Sequence, residues 1–231
     1  MIQISNLSKK YGETVVFSDL NYTFENACIY GLVGRNGAGK TTLLNILSNY
    51  DKNYTGVISI DRKKMNKVDY LDMPVAYAMD QPSFFNELTI YENLFLIASS
   101  RKIKKQEAFD KIERILDGLG LKKYENYSPL ELSKGTMQRL NNACAMIQEE
   151  KITIFDEPFS GLDPVQMKLL ENVIVEFHKK EKGIYIISSH DIECLQNVCD
   201  KCLLLHNGQI REINMEEVDR EEIAKILSEG E

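Results

Sequence analysis

The run CIYGLVGRNGAGKTTLLNIL at residues 28–47 passes from an apolar segment through a glycine-rich break to a lysine and two threonines, then resumes as an apolar-periodic stretch. Residues 29–33 are short and apolar enough for a buried strand, and 41–47 carry leucine and isoleucine at helical spacing, so the glycines join a strand to a helix. That is the setting of a phosphate-binding loop. Gly34, Gly37 and Gly39 are expected to take positive φ and bring successive N–H groups towards phosphate oxygens, at the positive end of the helix. Lys40 offers a point charge to the β- and γ-phosphates, Thr41 a hydroxyl to Mg2+, and Thr42 a hydroxyl to neighbouring phosphate oxygens. The spacing G-x-x-x-x-G-K-[ST] is met in full by Gly34, Gly39, Lys40 and Thr41, with Asn36, Gly37 and Ala38 completing the cradle. A glycine-rich turn before a helix would not need all four positions. The run implies a nucleoside triphosphate site.

Composition bounds the rest. At 231 residues the chain can bury on the order of 70% of its unfolded surface without metal or disulfide. The net charge of −7, with 28 dispersed basic residues, argues against a nucleic-acid footprint. The longest apolar stretches, at 94–98, 183–187 and 202–205, fall far short of the ~20 residues of a membrane span. With no secretory leader pattern at residue 1, the expected location is the cytoplasm. Cys194, Cys199 and Cys202 have C-x4-C-x2-C spacing with His190 and His206 flanking, but no fourth cysteine follows and Cys202 opens the apolar run CLLL. A packed, reduced cysteine in a strand is the better reading. Asn66, Lys67 and Asp69 spell the guanine-reading N-K-x-D, yet they lie in a lysine-rich turn with no strand to aim the Asp, and read as a solvated charge run.

Along the chain, residues 2–28 alternate in the strand manner around a break at Tyr11, Gly12 and Glu13, which reads as a small antiparallel sheet. Residues 56–60 add a short strand, and 74–78 lead to Asp80 and Gln81, where Pro82 ends regularity. A helical pattern runs from Leu88 to about Leu121, with Ala108, Ile112, Ile115, Leu116 and Leu119 on one apolar face, and a second helix begins near Thr136. Residues 151–155 and 183–188 are β-rich, with a helix over 164–180 between them. This order predicts an α/β fold: a P-loop core with a mainly parallel sheet, an N-terminal antiparallel β-subdomain and an inserted helical subdomain. The expected division is one domain over 1–231, with core at 1–80 and 150–231 and helical lobe at 81–149.

Asp156 and Glu157 follow the 151–155 strand, at the C-terminal end where open α/β sheets bind ligands. Asp156 is placed to hold Mg2+, and Glu157 to polarise an attacking water. Taken alone, such a pair would more often complement a helix N-terminus, by about two to one. The phosphate loop upstream reverses those odds.

With these residues in place, the chain resembles the ATP-binding subunit of an ABC (ATP-binding cassette) transporter over essentially its full length. LSKGTMQRL at 132–140 is similar to the family's LSGGQ signature, and SGLD at 160–163 to its D-loop. Gln81, His190 and Tyr11 fall where the family has its Q-loop glutamine, switch histidine and adenine-stacking aromatic. The resemblance implies that Tyr11 stacks on the base, that Ser133 and Gly135 meet an ATP held by a second subunit, that His190 contacts the γ-phosphate, and that Gln81 links Mg2+ and water to the helical lobe. It implies ATP and Mg2+ as cofactors, and a head-to-tail second ATPase subunit, identical or not. It further implies a separately encoded transmembrane permease that holds the chain at the inner face of the cell membrane, with the coupling surface near 81–94. Lys134 and Thr136 depart from the signature's first glycine and its glutamine. A soluble ABC-type ATPase without a membrane partner and a non-catalytic nucleotide-binding regulator are the alternatives.

Overall fold

The computed structural model describes residues 1–65, 68 and 72–214. The N-K-x-D run lies outside these residues except for Val68, as does the segment near Ile226 and Leu227.

A four-stranded antiparallel sheet opens the chain. β1 (Ile2–Tyr11) turns at Gly12 into β2 (Thr14–Phe24), and β4 (Thr55–Ile60) with the short β5 (Lys63–Lys64) extends the order to β2-β1-β4-β5. The second sheet has six strands in the order β10-β9-β3-β8-β7-β6. Here β3 (Cys28–Val33), β6 (Val75–Ala78), β7 (Ile152–Phe155), β8 (Ile184–Ser189) and β9 (Lys201–His206) run parallel, and β10 (Gln209–Ile213) closes the edge as an antiparallel hairpin.

Strands β3, β7 and β8 are buried at every residue, as a parallel strand covered on both faces must be. Their side chains still alternate between two cores with period two. Ile29, Val33, Phe155, Tyr185 and Ile187 join the helices, whereas Tyr30, Leu32, Ile154 and Ile186 pack with the antiparallel sheet and helix α1 (Lys40–Leu47).

Between β6 and β7 come three helices, α2 (Ile90–Ser100), α3 (Lys105–Gly118) and α4 (Lys134–Met146). The single helical stretch expected over 88–121 is in fact two helices. The first ends at Arg101, Lys102 turns left-handed at φ 60°, and the Ile103 N–H bonds back to Ala98 O at 3.1 Å. Periodicity alone hid the break because residues 101–104 carry no proline or glycine to mark it. The apolar face on Ala108, Ile112, Ile115, Leu116 and Leu119 is buried as expected. Helix α4 starts two residues before Thr136, because Ser133 caps it by accepting the Thr136 N–H. Helix α5 (Pro164–Glu181) then links β7 to β8, with Asp163 as its cap. Among the described residues no helix is long and apolar enough to cross a membrane.

Sheet order decides where chemistry collects. Strands β3, β8, β7 and β6 are neighbours, so the segments leaving their C-terminal ends stand side by side: the phosphate loop, Ser188 to His190, Asp156 with Glu157, and Asp80 with Gln81.

Candidate functional site

The phosphate loop uses its glycines for two different purposes. Gly37 and Gly39 take φ of 79° and 101°, and Gly39 caps α1 from the left-handed region. Gly34, expected to share that conformation, does not. Its need is space, since a Cβ there would stand 2.8 Å from the carbonyl oxygen of Leu205 on β9. The Lys40 ammonium is buried at the centre of the loop, donating to Gly34 O at 2.7 Å and lying 3.6 Å from Glu157 Oε1.

Asp156 is buried at the end of β7 and accepts the Ser188 hydroxyl at 2.5 Å through Oδ1. Burial pushes its pKa above the ordinary aspartate range; hydrogen bonds from Ser188 and Thr41 pull it back, and the charges of Glu157 and Asp80 add to the rise. The Ser188 oxygen in turn accepts the Glu157 N–H at 2.9 Å, so one hydroxyl ties both acidic residues to β8. Glu157 takes a left-handed φ of 49°, a costly conformation for a side chain of its size. Ser188 and Gln138 hold it there, the latter donating to Glu157 O at 3.4 Å. The result aims the carboxylate back over the loop, where Oε2 meets His190 Nδ1 at 2.9 Å.

These groups line one open cleft of about 540 Å³, within the range of small-molecule sites. Tyr11 stands at its rim, and Asn36, Gly37, Gly39, Lys40, Thr41, Thr42, Glu157 and His190 share its wall. Asp80, Ser160 and Arg35, which the sequence did not single out as site residues, line it too. Asp156 closes the floor through Thr41. Buried carboxylate and threonine hydroxyl are the hard oxygen donors that Mg2+ takes, beside a loop built to receive phosphate.

Besides Gly34 and Asp156, four expected site residues do not line the cleft. Gln81 is exposed, one residue beyond the Asp80 that reaches it. Ser133 and Gly135 sit at the start of α4, where Ser133 Oγ is 2.9 Å from Thr136 Oγ1 and a Cβ on Gly135 would stand 3.0 Å from Gly161 O. The Lys134 stem lies on the same side, 3.8 Å from where a Cβ on Gly161 would stand. Ala38 packs behind the loop, its N–H on Arg35 O at 3.1 Å. Cys202 is buried in β9, and among the described residues no group of three His, Cys, Asp or Glu side chains is placed to hold a metal ion.

Ser188 is the functional residue that sequence reasoning missed. A polar pair ending an otherwise apolar strand, IYIISS just before His190, was the available signal.

Residues 17–160 match the ABC transporter family. The chain belongs to that family. It is an ABC ATPase, with the phosphate loop, the Asp156 and Glu157 pair and the antiparallel N-terminal sheet in one cassette. The ABC cassette is 32% identical to an uncharacterized ABC transporter ATP-binding protein of Methanocaldococcus jannaschii over 90% of this chain and 75% of that one. It is 30% identical to the tungstate uptake system ATP-binding protein of Peptoclostridium acidaminophilum, over 91% and 97%. Among solved structures, the ATP-binding subunit of an ABC transporter superposes with a TM-score of 0.85 at 27% identity, covering 98% of this chain and 94% of that one.

Proposed function

We propose that this chain is the ATP-hydrolysing motor of a transporter whose membrane-spanning permease is a separate polypeptide, and that it works as one half of a two-cassette sandwich at the inner face of the membrane. The observation carrying this is spatial. Ser133 and Gly135, at an anion-ready helix start, lie outside the cleft that already holds Lys40, Asp156, Glu157 and His190. A second phosphate-facing element that cannot serve its own cleft calls for a second cassette.

Within the cleft, the loop N–H groups and Lys40 cradle the phosphates, and Tyr11 stacks on the base. Thr41 and Asp156 would hold Mg2+, with Gln81 of the helical lobe, residues 81–149, as a further oxygen donor. Bound there, Mg2+ neutralises charge on the β- and γ-phosphates. Glu157 accepts hydrogen from the attacking water and His190 fixes the Glu157 carboxylate while facing the γ-phosphate. Hydrolysis removes the γ-phosphate contacts shared by the two cassettes, so closed loses its advantage over open.

A patch suits the permease. Phe85 (58% exposed), Tyr127 (45%) and Leu130 (75%) stand on adjoining segments, joined by the Ser128 hydroxyl on Asn86 O at 2.8 Å. It overlaps the 81–94 region to which the family resemblance points.

The test is the solution mass of purified Glu157→Gln protein with and without ATP and Mg2+, beside a direct ATP titration. Conversion of monomer to dimer by ATP supports the sandwich. Binding without dimerisation removes the homodimer and leaves a different ATPase subunit as partner, while no binding sinks the reading.

A further inference from the structure

Tyr11 is not a free surface ring. Residues 9 and 11 of β1 are two apart and therefore share a face, and Lys9, although a lysine, is 4% exposed. Its ammonium stands over the Tyr11 ring at 4.6 Å from the centroid. The same ammonium donates to Asn53 O at 2.7 Å and pairs with Asp51 Oδ2 at 2.6 Å. That carboxylate oxygen also accepts the Tyr11 hydroxyl at 3.3 Å, while Oδ1 accepts the Asn53 N–H at 2.8 Å.

The segment carrying Asp51 is anchored in turn. The Tyr50 and Asp51 N–H groups both bond to Asn45 O, at 2.9 and 3.0 Å, inside α1. Asp51 is thus an extension of the helix whose other end is the phosphate loop. Lys9 reaches across from β1 to that extension and touches the ring on the way.

We propose that Lys9 and Asp51 are positioning residues that set the distance and tilt of the Tyr11 ring relative to the phosphate loop, and so select a nucleoside triphosphate of fixed base-to-phosphate geometry. With an ammonium over one face, the ring has one face left for a base, and the hydroxyl contact to Asp51 restrains its rotation. A surface tyrosine lacking these contacts would spend freedom on binding; this one has lost it already. The inference rests on Tyr11 being the base-stacking residue.

The experiment compares affinities for Mg-ATP and for Mg-tripolyphosphate, which fills the phosphate loop but has no base. Tyr11→Ala should weaken ATP roughly tenfold, the order of one lost base–aromatic stack, and leave tripolyphosphate within about twofold. Lys9→Met and Asp51→Asn should each weaken ATP about three- to tenfold with the same indifference to tripolyphosphate, and raise KM for ATP with kcat little changed. Tripolyphosphate binding certifies in each variant that the loop is folded. If Tyr11→Ala spares ATP, the base-stacking reading fails. If Tyr11→Ala weakens ATP while both other variants leave it unchanged, the positioning role is overturned and Tyr11 stacks unaided. Equal loss of both ligands in Lys9→Met and Asp51→Asn would mark the pair as scaffolding for α1, which also overturns it.

Discussion

The Ser188 hydroxyl donates to Asp156 Oδ1 at 2.5 Å, from the strand next to the one that ends in Asp156. Its oxygen simultaneously accepts the N–H of Glu157. The proton of the serine is committed to the carboxylate and its lone pair to the backbone, so the hydroxyl fixes Asp156 and Glu157 together, the two residues proposed to hold Mg2+ and to face the attacking water. Ser188→Ala should weaken Mg2+ support of ATP hydrolysis by about tenfold, as loss of a hydrogen bond to a metal-holding carboxylate does. The Mg2+ titration of the ATPase rate checks it; an unchanged half-saturation would mean Asp156 is oriented without Ser188.

His190 is exposed, and its Nδ1 meets Glu157, the proposed general base, at 2.9 Å. His190→Ala should therefore leave stability and ATP affinity nearly unchanged and lower kcat by roughly a hundredfold or more, the scale of misplacing a general base. Single-turnover rates at saturating ATP distinguish this from slow product release.

The two left-handed loop glycines predict losses of different size for one substitution. At Gly39 a Cβ would lie 2.7 Å from Val16 Cγ1 and close to the Phe17 ring, on top of a φ of 101°. At Gly37 the space around the new atom is open, leaving the backbone strain of about 1–2 kcal/mol. Gly39→Ala should abolish nucleotide binding, whereas Gly37→Ala should weaken it by tenfold or so, measured by calorimetric titration.

Much of the fold and the cleft was legible in the sequence because the strands and the phosphate loop carry local signals. Apolar runs such as 184–187 announce buried parallel strands, and the G-x-x-x-x-G-K-T spacing identifies the turn that leaves β3 and the helix it enters. The features that escaped are non-local. That Gly34 is dictated by Leu205 on β9, or that Ser188 serves Asp156, depends on the sheet order β9-β3-β8-β7, which no window of sequence contains. Lys9 escaped for a related reason. A lysine on a strand reads as solvated until its partner, Asp51, is brought across from the far end of α1.

Asp51 gives a pH signature. Burial pushes its pKa up, but the hydrogen bonds from Lys9 and Asn53 and the Lys9 charge outweigh this and hold it below the ordinary 3.8. A carboxyl with a lowered folded pKa contributes stability that is present above the unfolded value and lost as pH falls through the folded one. The stability gap between the wild type and Asp51→Asn should thus be full at neutral pH and close below about pH 4. Urea unfolding of both proteins across that range measures it, and a gap independent of pH would mean the Asp51 charge contributes nothing.

The exposed patch is built, not incidental, and this makes its last consequence testable. Phe85 is held by the 2%-exposed Asn93, which accepts the Phe85 N–H and returns a bond to its carbonyl, both at 3.0 Å. The Ile90 N–H bonds to Tyr127 O at 2.9 Å, fixing the neighbouring segment against α2. A backbone this well satisfied keeps the Phe85 ring in water, at a cost on the order of 2 kcal/mol for such a side chain. A docked membrane subunit would recover it. Phe85→Glu and Leu130→Glu lie away from the cleft and should leave ATPase activity of the isolated chain within about twofold, while recovery with the proposed permease in detergent-solubilised membranes falls at least tenfold. Because each glutamate would bury a charge in the interface, the double variant should be no better than either single one. Undiminished recovery would place the coupling surface elsewhere on the cassette, and loss of ATPase activity alongside would assign the patch to folding rather than to docking.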